Sequence, residues 1–352
     1  MTEPLQAPFP YFGGKRRAAP MVWAELGDVG GYVEPFAGSA AVLLARPPFR
    51  GRRVETLNDA DGWLVNAWRA IKLSPAAVAE HTYGPVSEVD YHARLAWLQE
   101  RRGHELVAWL EGDPEHHDPK AAGWWLYVMS CGIGDPFDPG PWRVIDGRLV
   151  DTRELPDAPD GVGVHRQIPH LGNAGKGVHR EMPRLSAAQG VHRALPHLGD
   201  AGKGVHREHG LRAVEAYLER LAARLAHVRI TCGDWTRVLT PSVVRATAGN
   251  SHIGIFLDPP YETRPPLYAV GDGSISAAVR EWCRHAAPDL RIVLAGYEDE
   301  HDELLAVGWR KEQGRAGGGA GYNTDPKAGR RERLWMSPAC LGAEATLFDV
   351  AV

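Results

Sequence analysis

Short apolar runs at 31–34, 53–57, 228–231, 253–257 and 292–295 alternate with helical periodicity at 17–26, 40–45, 61–71, 211–226 and 276–285. That alternation is the strongest constraint on the fold. Parallel strands need long crossover connections, and a helix in each connection must bury its apolar stripe against the sheet. The expected architecture is therefore α/β, a mostly parallel sheet covered on both faces. The sheet segments fall into two pieces, 1–73 and 211–352, with 74–210 inserted between them. At roughly 150 residues per domain, 352 residues fit one large domain with an insertion, or two domains.

The insertion changes character along its length. Residues 74–131 read as helical, with Trp97, Trp109, Trp124 and Trp125 expected as core anchors rather than base-stacking residues. Residues 136–161, rich in Pro, Gly and Asp, read as loop. Then GVHRQIPHLGNAGKGVHRE (163–181) returns as GVHRALPHLGDAGKGVHRE (190–208), a period of 27 residues. Two such copies hold few core-sized side chains and are too few for a free-standing solenoid. Between 161 and 212 eight basic residues stand against three acids, so this segment carries +5 of a chain whose net charge is −4. A basic patch on an acidic body suits a polyanion. Three readings stay open for the repeats: phosphate tracking by Arg166, Lys176, Arg180, Arg193, Lys203 and Arg207, a protein partner, or a duplicated surface loop.

Composition removes other classes. Hydrophobic residues make up 44% and charged residues 24%, which excludes a disordered tail, a collagen-like chain and a coiled coil. No apolar stretch reaches the roughly 18 residues of a transmembrane helix. The N-terminus has no basic start followed by an apolar run, so a cytoplasmic protein is expected. The four cysteines are scattered, which argues for reduced thiols and against structural zinc. No metal is expected at His165, His179, His192 and His206, where carboxylates keep no ligand spacing. His116 and His117 beside Asp113 and Asp118 read as a solvated turn.

Four segments carry chemistry. The run 253–257 passes directly into Asp258-Pro259-Pro260-Tyr261. Ligands of open α/β sheets bind outside the carboxyl ends of strands. Two prolines stiffen this turn and leave their carbonyls as acceptors beside the Asp258 carboxylate. The set suits a substrate with an NH2 group and a flat face, such as a base with an exocyclic amine; an ordinary strand-ending turn is the competing reading. Tyr32-Val33-Glu34-Pro35-Phe36-Ala37-Gly38-Ser39-Ala40 is a strand, a small-residue loop and a helix start, which lets a ligand approach the backbone. It lacks the lysine and glycine spacing of a phosphate loop. Leu57-Asn58-Asp59 ends the next strand, where an acid accepts from ribose hydroxyls; alternatively Asp59 or Asp61 caps the following helix. Pro10-Tyr11-Phe12-Gly13-Gly14-Lys15 offers a tight turn and a cation.

In this order and spacing the four segments resemble the Dam-type (alpha group) DNA adenine-N6 methyltransferases over about 8–73 and 211–348. The resemblance implies a Rossmann-like sheet, S-adenosylmethionine as cofactor, double-stranded DNA as partner and target recognition in the insertion. It places Tyr11 and Lys15 at the methionine end of the cofactor. Glu34, Pro35, Phe36, Gly38 and Ser39 form the cofactor loop, Asp59 holds the ribose and Asp234 faces the cofactor adenine. Asp258, Pro259, Pro260 and Tyr261 are the catalytic set. Residues 334–336 and 347–349 look like the family's closing strands. Two departures stand out: Ala40 replaces a third small glycine, and the repeats, resembling those of phage- and plasmid-type members, stand where a target-recognition hairpin pattern is usual. Neither the recognition site nor a cognate restriction nuclease follows from the resemblance. Methylation of another amine (cytosine N4 or an RNA base) and a catalytically silent DNA-binding module are the alternatives.

The expected mechanism follows from adenine itself. Its N6 lone pair is delocalised, so acceptors at Asp258 and Pro259 would favour a pyramidal, more nucleophilic nitrogen. The base must flip out of the duplex, with Tyr261 stacking on it. As an orienting acceptor rather than a strong base, Asp258 should give a flat rate profile between about pH 6 and 9.

Overall fold

The structure, a computed structural model, describes residues 5–11, 15–49, 51, 53–101, 104–132, 136–137, 142–145, 148–151, 210–248, 252–261, 274–313 and 331–342. The two repeats, with Arg166, Lys176, Arg180, Arg193, Lys203 and Arg207, lie outside the described residues, as does the closing strand expected at 347–349.

The chain runs through α1 (Ala19–Leu26), β1 (Gly31–Glu34), α2 (Ala41–Leu44), β2 (Val54–Asp59) and α3 (Gly62–Leu73). The insertion supplies α4 (Pro75–Thr82), α5 (Glu88–Glu100), α6 (His104–Gly112), α7 (Pro119–Cys131) and a hairpin, β3 (Trp142–Ile145) with β4 (Arg148–Asp151). Then follow α8 (Gly210–Leu225), β5 (Val228–Cys232), α9 (Pro241–Ala248), β6 (Ile253–Leu257), α10 (Ser274–His285), β7 (Arg291–Tyr297), β8 (Arg310–Gln313) and β9 (Glu332–Met336). Seven strands form one sheet in the order β5-β2-β1-β6-β7-β9-β8. The pairings from β5 to β7 are parallel, and β9 runs antiparallel to both β7 and β8. The fold is mixed α/β and compatible with a Rossmann-like sheet.

Side-chain alternation sorts the strands between two cores. On β6, Ile253, Ile255 and Leu257 enter one core while Phe256 enters the other. On β7, Ile292 and Leu294 go one way and Val293 and Ala295 the other. One core lies under α10, where Val279 and Cys283 pack. The opposite core gathers α1, α3, α4, α7 and α8 against Tyr32, Leu57 and Phe256. Helices of the 74–131 segment therefore share a hydrophobic core with the sheet. At its centre α3 is buried from Gly62 to Ile71. Asp61 starts it by accepting from the Trp63 and Leu64 amides at 2.9 and 3.4 Å. This settles the capping alternative in favour of Asp61.

Two expectations are corrected. Residues 136–161, expected as loop, contain the β3–β4 hairpin. The signal was Asp146-Gly147 between two Val-bearing runs, a dipeptide suited to a tight hairpin turn. Trp109 is not a core anchor: it is 55% exposed and lies 5.3 Å from the His116 ring. Trp125 is buried, whereas Trp97 and Trp124 are half-buried and meet edge to face at 4.9 Å.

Candidate active site

Strand order reverses direction between β1 and β6, so their following loops diverge and leave a crevice at the carboxyl ends. The cleft there encloses about 940 Å3, its open mouth included. Tyr11, Lys15, Glu34, Pro35, Phe36, Gly38, Ser39, Asp59, Asp234, Asp258 and Pro260 all line it. Four strand ends contribute: Glu34 ends β1 and 35–39 follow it, Asp59 ends β2, Asp234 follows β5 and Asp258 follows β6. Of the expected residues, Pro259 and Tyr261 do not line the cleft and are buried beside it.

The loop after β1 is held from several sides. Gly38 takes φ +46°, and a Cβ there would meet Tyr11 Cε1 at 2.6 Å, so glycine lets the Tyr11 ring approach. Ala40 adopts φ +49°, a left-handed conformation that costs an alanine roughly 1–2 kcal/mol. The Trp68 indole donates to the Gly38 carbonyl at 3.0 Å. Asp59 accepts from the Gly38 amide through Oδ2 and from the Asp61 amide through Oδ1, both at 3.0 Å. Burial lifts the Asp59 carboxyl to a pKa of about 6. Asp234 is exposed and accepts from the Thr236 amide at 2.9 Å.

Glu34 is the deepest acid of the cleft, 2% exposed. Its Oε2 accepts from the Tyr32 hydroxyl at 3.0 Å and the Leu43 amide at 3.3 Å. Burial, which outweighs both hydrogen bonds, raises its pKa to about 8.

At the other end of the cleft, Lys15 Nζ lies 2.8 Å from Asp258 Oδ2 and 3.0 Å from Glu332 Oε1. The Tyr261 hydroxyl donates to Asp258 Oδ1 at 3.0 Å and approaches Glu332 Oε1 at 3.3 Å. Burial pushes the Asp258 carboxyl up, against the pull of the Lys15 ammonium. The Tyr261 ring, 3% exposed, packs on Tyr297 with centroids 4.3 Å apart. It braces Asp258 here, rather than offering an open face for stacking.

Sequence reasoning missed three contributors. Asn58, fully enclosed, donates to the Pro35 and Gly233 carbonyls at 3.1 and 2.9 Å and accepts from Thr231 Oγ1 at 2.9 Å. It thus ties together the loops after β1 and β5. Trp235 lines the cleft and lies near Phe36, the two rings inclined at 30° with centroids 6.1 Å apart. Glu332 comes from β9. Asn58 and Trp235 had a sequence signal, their places beside Asp59 and Asp234, whereas Glu332 had none.

The arrangement combines carboxylates that accept from hydroxyls and amines, aromatic walls for a flat ring, and a net negative lining for a cation. Among the described residues no group of three or more His, Cys, Asp or Glu side chains could hold a metal. Nor is any helix among them long and apolar enough to cross a membrane. No protein-family model matches the chain, and no curated protein matches it.

Proposed function

We propose that this protein transfers a methyl group from S-adenosylmethionine to the N6 amine of adenine in double-stranded DNA. The observation that carries the reading is the convergence of Glu34, Asp59, Asp234 and Asp258 on one cleft, lined also by Phe36 and Trp235, at the switch point of the sheet. Segments distant in the chain contribute to it: Tyr11 and Lys15, 34–39, Asp59, and Asp258 with Pro260.

The residues fit a cationic nucleoside. Asp59 and Asp234 can accept from ribose hydroxyls and an adenine amine, Phe36 and Trp235 offer flat apolar surface, and Glu34, protonated up to about pH 8 in the empty cleft, would supply negative charge once a bound cation ionises it. Tyr11 lines the cleft against Gly38. When bound, S-adenosylmethionine supplies an already activated methyl group. Asp258 accepts a hydrogen bond from the target amine, and the Pro259 carbonyl offers a second acceptor. Together they favour a pyramidal nitrogen and stabilise the positive charge that develops on it. Lys15 and Tyr261 hold the Asp258 carboxylate in place.

Calorimetric titration with S-adenosylhomocysteine tests the cofactor half. Wild type should bind, and Asp59→Ala should bind about tenfold or more weakly, the scale of a lost hydrogen bond to a charged group. Equal affinities would remove Asp59 from the site, and no binding by wild type would contradict the proposal.

A further inference from the structure

Glu332 opens β9, which runs antiparallel to β7 and pairs Glu332 with Tyr297. Because of that reversal, the start of β9 lies at the same sheet edge as the end of β7 and the loop after β6. A residue far beyond Asp258 in the chain thereby returns to its side. Four side chains close a ring there: Asp258 and Glu332 accept, and Lys15 and Tyr261 each bridge the two acids at 2.8–3.3 Å. The Lys15 and Glu332 side chains are 4% and 9% exposed, whereas Asp258, at 18%, turns toward the cleft.

The charge balance of this ring separates two arrangements. With Lys15 and Asp258 alone, the ammonium would neutralise the carboxylate meant to accept from the base. With Glu332 present, one ammonium is shared between two carboxyl groups, and with both ionised the ring carries one net negative charge. The Tyr261 hydroxyl, placed between both acids, fixes the second oxygen of Asp258.

We infer that Glu332 is a positioning residue for the methyl-transfer step, which shares Lys15 and Tyr261 with Asp258 and so keeps that carboxylate oriented and only partly neutralised. The inference rests on the proposed reading of Asp258 as acceptor for the target amine. Glu332 does not touch the substrate. Its negative charge also raises the Asp258 carboxyl, while Lys15 lowers it; Glu34 is the other acid whose field reaches Asp258.

The test uses the full chain, labelled S-adenosylmethionine and duplex DNA, comparing wild type, Glu332→Gln and Glu332→Asp. Single-turnover rates are read across pH, with cofactor affinity and thermal midpoint measured alongside. Glu332→Gln should fold and bind cofactor within about twofold of wild type, yet transfer roughly ten- to a hundredfold more slowly, as for a misplaced acceptor. Its acid limb should move to lower pH, since Asp258 loses a like charge. Glu332→Asp should recover part of the rate. Lys15→Met combined with Glu332→Gln should lose less than the sum of the single effects, the mark of groups acting as a unit. A Glu332→Gln enzyme with the wild-type rate and pH profile would overturn the inference and leave the proposed function standing. Parallel losses of rate, cofactor affinity and thermal midpoint, with no shift of the acid limb, would reduce Glu332 to a structural residue and overturn it equally. A wild type that binds cofactor but methylates no base would overturn the proposed function, and the inference with it.

Discussion

Glu34 holds its carboxyl between the Tyr32 hydroxyl and the Leu43 amide, and burial keeps it protonated to about pH 8. An acid whose folded pKa exceeds its unfolded value stabilises the fold most when protonated in both states. Its contribution is complete below about pH 4.5 and is lost as pH rises through about 8. Within that window, each tenfold difference in proton affinity between the folded and unfolded chain corresponds to roughly 1.4 kcal/mol. Asp59, raised to about 6, acts with the same sign over a lower range. Urea unfolding at about pH 5.5 and about pH 8 should show lower stability at the higher pH, and Glu34→Gln should flatten the difference. An unchanged slope in the variant would mean that Glu34 is ionised in the fold. A bound cation would favour the ionised form, so ligand binding near neutral pH should release a proton.

The elements explain how these residues come together. Asn58, near the end of β2, donates two buried hydrogen bonds to the loops after β1 and β5 and accepts a third, part-buried, from Thr231 within β5. Asn58→Ala should lose roughly 2–4 kcal/mol of stability, counting about 1 kcal/mol per bond and the carbonyls left unpaired. It should also weaken cofactor binding, because the Gly38 and Asp234 loops lose their common tie. A variant within about 0.5 kcal/mol of wild type, the range of a neutral surface change, would show that the loops hold without it. Much at this scale was legible in the sequence. The strand runs at 31–34 and 253–257 match β1 and β6, and helix α3 starts at the Asp61 cap foreseen as one alternative. What escaped depends on tertiary pairing. No local pattern tells that β9 runs backwards, so Glu332 could not be set beside Asp258 from sequence. The β3–β4 hairpin escaped for the opposite reason: its Asp146-Gly147 signal was present but lay within a Pro- and Gly-rich stretch. Trp109 was misjudged because size and apolarity alone were weighed: the neighbouring Leu110 takes the buried face of α6 and leaves the indole outside.

At the scale of the whole molecule, the chain joins an acidic cleft to a segment carrying +5. In the proposed function that segment meets DNA phosphates. Replacing Arg166, Arg180, Arg193 and Arg207 with alanine should weaken duplex binding about equally for all sequences. It should also make the slope of log affinity against log salt shallower by about 0.9 for each phosphate no longer neutralised. Unchanged affinity and slope would exclude phosphate tracking by these arginines. The proposed function makes one central claim, that the chain methylates an adenine amine. The most direct measurement incubates wild type and Asp258→Ala with labelled S-adenosylmethionine and mixed-sequence duplex DNA, followed by nucleoside mass spectrometry. N6-methyladenine from wild type alone is the predicted result. Methyl groups on a different base, on no base at all, or in equal amounts with Asp258→Ala would contradict it.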